Sequence, residues 1–209
     1  EMITEVKKLG LEVCCTMGMI NKEKAAKLAD LGITAVNHNI DTSERHYPNI
    51  TTTRTYSERL ETLANLQEAG ISYCSGGILG MGETDEDRIA MLRTLSNQEK
   101  HHYNVPLNSL VPVEGTPFFG KETIGIFEMV RAVATARILM PKAVIAFAAG
   151  RTHYSQEGQA LCFLAGANSI FFGDKLLTVK NMTVNEDQHL LDTIGMIPTR
   201  YQELTTLEE

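Results

Sequence analysis

The chain has 209 residues and a net charge of −7, enough length for one domain with a sizeable core and no basic excess of the kind that nucleic acid or an anionic membrane surface requires. Apolar residues make up 43% and charged residues 22%, ordinary for a globular chain, with no run of about 18 apolar residues to span a bilayer and no basic start before an apolar stretch that would read as a secretion signal. Four cysteines, Cys14, Cys15, Cys74 and Cys162, are too sparse for a disulfide framework and predict a reducing, cytoplasmic setting.

Residues 11–15 read as a strand. Residues 21–30 read as a helix closed near Gly32. A strand follows over 33–37. Residues 57–69 form a helical pattern with Leu60, Leu63 and Leu66 on one side and Gly70 just beyond. Residues 71–79 read as one strand. Thr84 and Asp87 make a capping box at the head of a helix over 84–96. Strand 105–113 precedes a long helix over 124–140, stopped by Pro141. Strand 142–149, helix 155–167, strand 169–172 and an amphipathic helix over 185–194 complete the series, and an acidic tail occupies 198–209.

Six apolar strands alternating with helices predict a parallel sheet covered on both faces. A doubly wound sheet and a (β/α)8 barrel both fit. A closed barrel needs two further units. The active residues of either fold sit at the C-terminal strand ends. Those ends are rich in polar groups here. The first holds Cys14-Cys15-Thr16. The second runs into Asn37-His38-Asn39-Ile40-Asp41-Thr42. The third carries Cys74-Ser75-Gly76-Gly77 and continues to Gly80-Met81-Gly82-Glu83, and the fourth holds Asn108. Thiolates on nearby strands suit iron–sulfur clusters or zinc. Free cysteines also pack as small hydrophobes, and Cys162, on an apolar helix face, reads that way. Asn39 and Asp41 could meet ligand hydroxyls or form a turn. His38 reads as a structural histidine. Asn108, inside an apolar run, must find a partner in a ligand or a neighbouring side chain.

Taken together these stretches resemble the biotin synthase family of the radical S-adenosylmethionine (SAM) superfamily, over residues 3–197. The segment Asn37-His38-Asn39-Ile40-Asp41-Thr42-Ser43 carries the resemblance first. The Thr52-Thr53-Arg54-Thr55-Tyr56 loop with Arg59 follows in order. So do Cys74-Ser75-Gly76-Gly77-Ile78, Gly80-Met81-Gly82-Glu83, Val105-Pro106-Leu107-Asn108, Gly115-Thr116-Pro117, Ala149-Gly150-Arg151, Ala165-Gly166-Ala167-Asn168-Ser169-Ile170 and Lys175-Leu176-Leu177-Thr178.

The resemblance implies a partial (β/α)8 TIM barrel over 1–197, holding strands three to eight. It implies sulfur insertion into dethiobiotin, with SAM cleaved at a [4Fe-4S] cluster and sulfur drawn from an auxiliary [2Fe-2S] or other cluster. Cys14 and Cys74 would ligate the auxiliary cluster. Asn39 and Asp41 would have catalytic roles, contacting the adenosyl ribose and the ureido group. Arg59 would hold the methionyl carboxylate. Gly76, Ile78 and Gly80 would support the adenosyl moiety. Asn108 would bind the ureido ring and Thr178 the dethiobiotin carboxylate. Reduced flavodoxin or ferredoxin would supply electrons, and the protein would be a homodimer, binding neither nucleic acid nor membrane.

Two departures from the family pattern stand out. The Cys-x-x-x-Cys-x-x-Cys segment is missing, so the chain as written is expected not to generate radicals and to leave strand edges open. Ala146 stands where many members place an arginine ligand of the [2Fe-2S] cluster. Cys15 or an external ligand would take the arginine's place, or the second cluster is of another type; Cys15 reaches the interior only if the strand ends or kinks there. A related maturase- or mutase-type radical barrel and a degenerate non-catalytic binding protein are the alternatives.

Overall fold

Helices in this computed structural model begin where a short polar side chain closes the first turn. The structure describes residues 1–98, 104–173, 176 and 180–199. The Asn21 carboxamide accepts from Lys24 N at 3.0 Å and starts α2, Lys22–Asp30. Thr55 and Glu58 form a reciprocal capping box for α3, Tyr56–Glu68. Thr84 with Asp87 does the same for α4, Asp85–Ser96. Ser155 caps α6, Gln156–Leu164, and Thr183 with Glu186 caps α7, Val184–Thr193. The long helix α5, Ile126–Leu139, stops just short of Pro141.

The strands are short: β1 Cys14–Thr16, β2 Ala35–Asn37, β3 Ser72–Cys74, β4 Gly77–Leu79, β5 Val105–Ser109, β6 Ile145–Phe147 and β7 Ser169–Ile170. All ladders are parallel. The order is β1-β2-β3 in one sheet and β4-β5-β6-β7 in the other. Single bridges from Cys74 to Asn104 and from Asp41 to Gly77 join the two sheets, so β3 and β4 are halves of one strand position. Six consecutive strand positions with crossover helices result, which is the partial barrel that the resemblance implies. Among the described residues, β1 and β7 each have one strand neighbour.

Alternation across the strands separates two faces. Val36, Tyr73, Leu79, Val105, Leu107, Ile145 and Phe147 point to the helices and join one buried cluster with Leu63, Leu66, Leu92, Leu95, Met129 and Val133. Burial of each such side chain stabilises the fold by about 1.5–3 kcal/mol. Residues of the other parity face the barrel interior: Cys14, Ala35, Asn37, Cys74, Ile78, Pro106, Asn108, Ala146 and Ala148.

Several elements differ from the sequence expectation. A first helix, α1 Met2–Lys8, was not predicted. It buries no residue, and the Lys7 ammonium anchors it by donating to the Leu31 and Gly32 carbonyls. The expected single strand over 71–79 breaks at Ser75–Gly76. There the Gly76 carbonyl accepts from Ile40 N and Asp41 N, and Gly76 N donates to the Asn39 side chain. The strand expected over 105–113 ends at Ser109.

Candidate active site

Strand register sets the level of each interior side chain. Cys14 stands opposite Ala35, and Ala35 opposite Ser72. An eight-stranded barrel of shear 8 climbs about one residue per strand. Two strands on from Cys14, the residue at its level is therefore Cys74. The two thiols are near enough to interact: a hydrogen bond from Cys74 draws the Cys14 thiol down to about 7. Cys74 is pushed up, first by the same bond and then by burial. Continuing round, Cys74 bridges Asn104 and Val105 pairs with Ile145. The same climb puts Ala146 level with both cysteines. Ala146, where the resemblance leads one to expect an arginine, thus shares the layer of the two thiols.

In the metal-free chain, iodoacetamide should modify Cys14 with a midpoint near pH 7 rather than in the ordinary range of about 8.5. Cys74→Ala removes the donor and should return the midpoint to that range. Rates across pH, read by mass spectrometry, check this. Equal midpoints in the two proteins would contradict the thiol contact.

Cys15 does not join them. β1 is regular through Thr16, so the Cys15 side chain points to the helices and packs on the apolar cluster there. Burial raises its thiol. The expectation that a kink turns Cys15 inward is corrected on this point. Cys162 is fully buried on α6, its thiol raised to about 12 by burial, and it is a packing residue.

At the C-terminal ends of the strands, Asn39 and Asn108 have the same inward parity as the cysteines. The Asn39 oxygen accepts from Gly76 N at 3.0 Å. Asn108 donates to the Gly77 carbonyl at 3.0 Å and accepts from Ala149 N at 3.1 Å. Its partners are backbone groups of β4 and of the segment just after β6. Asp41 has a left-handed backbone with φ of 68°, a conformation that asparagine and aspartate tolerate best after glycine. Its carboxylate pairs with Arg59 at 2.8 Å, and Arg59 Nε donates to the Tyr47 hydroxyl at 2.9 Å. Burial raises the Asp41 carboxyl, and the Arg59 charge opposes the rise. Sequence reasoning named Asp41 and Arg59 separately. It missed their pairing and the role of Tyr47, which holds the guanidinium from its second side.

Gly76 lies so close to β5 that a Cβ there would strike the Pro106 carbonyl, and Gly77 is enclosed by Met91 and Asp41. Ile78 follows on β4. Gly80, with φ of 100°, donates to Glu83 Oε1 at 2.8 Å, closing the turn, and Arg88 holds the same oxygen at 2.8 Å. His38 is buried with the opposite parity. Burial, and then the Arg59 charge, bring its ring down to about 4, so it is neutral near pH 7. Thr178 lies outside the described residues, as does most of the tail over 198–209. Asn37 and Asn104 were also missed. Both share the inward parity of Asn39 and Asn108, and period-two alternation could have found them.

Two soft thiolates in one interior layer fit an iron–sulfur group as part of its ligand set. No group of three or more His, Cys, Asp or Glu gathers among the described residues. The chain contains no Cys-x-x-x-Cys-x-x-Cys.

Residues 1–95 match the Radical SAM superfamily, and residues 106–197 match the Biotin and Thiamin Synthesis associated domain. The chain is 52% identical over 198 residues to the mitochondrial biotin synthase of Arabidopsis thaliana, covering 95% of this chain and 52% of the relative. It is 54% identical over 198 residues to the biotin synthase of Cytophaga hutchinsonii, covering 95% of this chain and 59% of the relative. The chain thus spans between half and three fifths of the curated relatives it matches. Methylornithine synthase (PylB) shares the fold, with a TM-score of 0.80 at 20% identity over 98% of this chain and 64% of that one. The FeFe-hydrogenase maturase HydG from Carboxydothermus hydrogenoformans does so at a TM-score of 0.72 and 17% identity, over 90% of this chain and 48% of that one. With identity above one half along nearly its whole length and both family segments matched in order, this chain is similar to the part of the biotin synthases that it spans.

Proposed function

We propose that the protein to which this chain belongs is a biotin synthase, converting dethiobiotin to biotin by SAM-dependent sulfur insertion. The meeting of Cys14 and Cys74 in one interior layer, beside inward-facing Asn39 and Asn108, carries the reading. When bound, a [4Fe-4S] cluster would supply the electron that cleaves SAM, and an auxiliary cluster, [2Fe-2S] or of another type, would supply the sulfur.

The chain's own residues bind, orient and exclude water. Cys14 and Cys74 would give two thiolate ligands to the auxiliary cluster. Ala146 cannot ligate, and Cys15 faces away, so further ligands come from outside these positions. Arg59, steadied by Asp41 and Tyr47, would present its remaining N–H groups to the methionyl carboxylate. Asp41 would accept from the ribose hydroxyls. Asn39 keeps its amide nitrogen for the ribose or the ureido group. Asn108 keeps one N–H and one lone pair for the ureido ring, because each amide atom has made only one bond. The glycines at 76 and 80, with Ile78, leave room for the adenosyl group against the backbone. Thr178 would receive the dethiobiotin carboxylate.

The same reading takes residues 1–197 as one barrel unit, the protein as a cytoplasmic homodimer, and reduced flavodoxin or ferredoxin as electron donor. No helix among the described residues is long and apolar enough to cross a membrane. Ala146 favours a second reading, a non-catalytic barrel that binds ligand only. Anaerobic reconstitution of the full-length protein with iron and sulfide, followed by SAM, a reductant and dethiobiotin, separates the two. Biotin should form together with 5′-deoxyadenosine. A cluster-loaded protein that forms neither would end the enzymatic reading, and deoxyadenosine without biotin would assign it to another radical chemistry.

A further inference from the structure

Cys74 has an asparagine on each side of it in the sheet. Asn37 is its register partner on β2, and Asn104 bridges it from the foot of β5. Val36, Tyr73 and Val105 all point to the helices, so Asn37, Cys74 and Asn104 form one continuous interior row. The two amides differ from Asn39 and Asn108, whose carboxamide oxygens accept from backbone N–H groups. The Oδ1 atoms of Asn37 and Asn104 are buried and find no hydrogen-bond partner among the described residues. Buried amides in native proteins are almost always bonded. Two unpaired ones flanking the same cysteine therefore point to a partner bound at that cysteine.

A carboxamide is nearly symmetric in shape. A half-turn about its terminal torsion exchanges Oδ1 and Nδ2 and offers a donor where the oxygen now lies. Next to a thiolate, and to the charged sulfur atoms of any cluster held there, a donor is the favoured orientation. Ala146 brings no polar group to this layer. Asn104, on the side of Cys74 that leads toward Ala146, is the polar side chain placed to serve that quarter.

We infer that Asn37 and Asn104 are positioning residues for the sulfur-bearing cluster at Cys14 and Cys74, donating amide N–H groups to its sulfur atoms and raising its reduction potential. The inference rests on the auxiliary-cluster reading above. Donors to cluster sulfur stabilise the reduced, more negative state, so their loss makes reduction harder.

The test uses the full-length protein reconstituted with iron and sulfide, as wild type, Asn104→Leu, Asn37→Leu and Asn104→Ser. Iron and acid-labile sulfide per chain are measured first. The midpoint potential of the auxiliary cluster then follows from anaerobic titration monitored by absorbance and electron paramagnetic resonance. The leucine variants should shift to more negative potential. Asn104→Ser, which keeps a hydroxyl donor, should shift less. If a leucine variant loses the cluster, the serine variant still reports. A potential unchanged from wild type in both variants at position 104 and in Asn37→Leu overturns the inference while leaving the auxiliary cluster intact. A wild-type protein that binds no second cluster overturns the reading beneath it as well.

Discussion

Asp187→Ala is expected to destabilise the protein by about 3–5 kcal/mol, the cost typical of leaving one member of a buried ion pair without its partner. Arg151 and Asp187 are both buried, at 1% and 0% side-chain exposure, and their charged groups approach to 2.6 Å. Arg151 also donates to the Gln159 side chain at 3.1 Å. The guanidinium therefore ties the segment after β6 to α6 and to the first turn of α7. Removing the carboxylate strands a cation where water cannot reach it. Total stabilities are only about 5–15 kcal/mol, so the loss should be plain in urea unfolding as a lowered midpoint. A paired replacement, Arg151→Met with Asp187→Leu, removes both charges and should recover most of the loss. An Asp187→Ala midpoint equal to wild type would show that the pair contributes nothing net.

Gly76→Ala should be the next most damaging change, at about 1–3 kcal/mol or more, the range for overpacking a filled site. The added methyl would collide with the Pro106 carbonyl oxygen and lie 2.8 Å from its carbon and 2.9 Å from Pro106 Cδ. Relief requires moving either β5 or the 39–41 segment bonded to Gly76. Either movement displaces Asn39 or Asn108. A shift of about 1 Å in positioning residues can lower a rate about 100-fold, so turnover should fall by more than stability alone explains. Gly18→Ala is the control. Nothing lies within 4 Å of its would-be Cβ, and the expected change is within about 0.5 kcal/mol. Urea unfolding of both variants beside turnover of the full-length protein checks the comparison. A Gly76→Ala protein as stable as Gly18→Ala would mean that β5 gives way freely.

What the sequence revealed was mostly local. Asn21, Thr84 and Ser155 marked helix starts because a capping side chain bonds a backbone N–H three residues on, whereas the Thr55–Glu58 box that starts α3 went unread. The strand positions were legible from apolar runs, and their number matched a barrel of six units. α1 was not legible. It has no buried stripe to give a periodic signal, and its anchor, Lys7 on the 31–32 carbonyls, is a contact 24 and 25 residues away in sequence. The break between β3 and β4 has the same origin, because the groups that interrupt the ladder, Asn39 and Asp41, arrive from another strand.

The site divided in the same way. The residue types at the strand ends pointed to Cys14, Cys74, Asn39 and Asn108, and the structure's strand alternation puts all four on one face. The inward position of Cys15 required β1 to end or kink there, and β1 runs on through Thr16. The Asn37–Cys74–Asn104 row depends on register between strands, and the Arg59–Asp41 pair on how α3 docks against the segment after β2. A single sequence carries no direct record of register.

Iron and acid-labile sulfide per chain, measured on the anaerobically reconstituted full-length protein beside its Cys14→Ala/Cys74→Ala variant, bear most directly on whether these two thiols hold the sulfur donor. The account predicts that the double variant keeps the complement of the SAM-cleaving cluster and loses the remainder. Iron and sulfide contents equal to those of the wild type would contradict it.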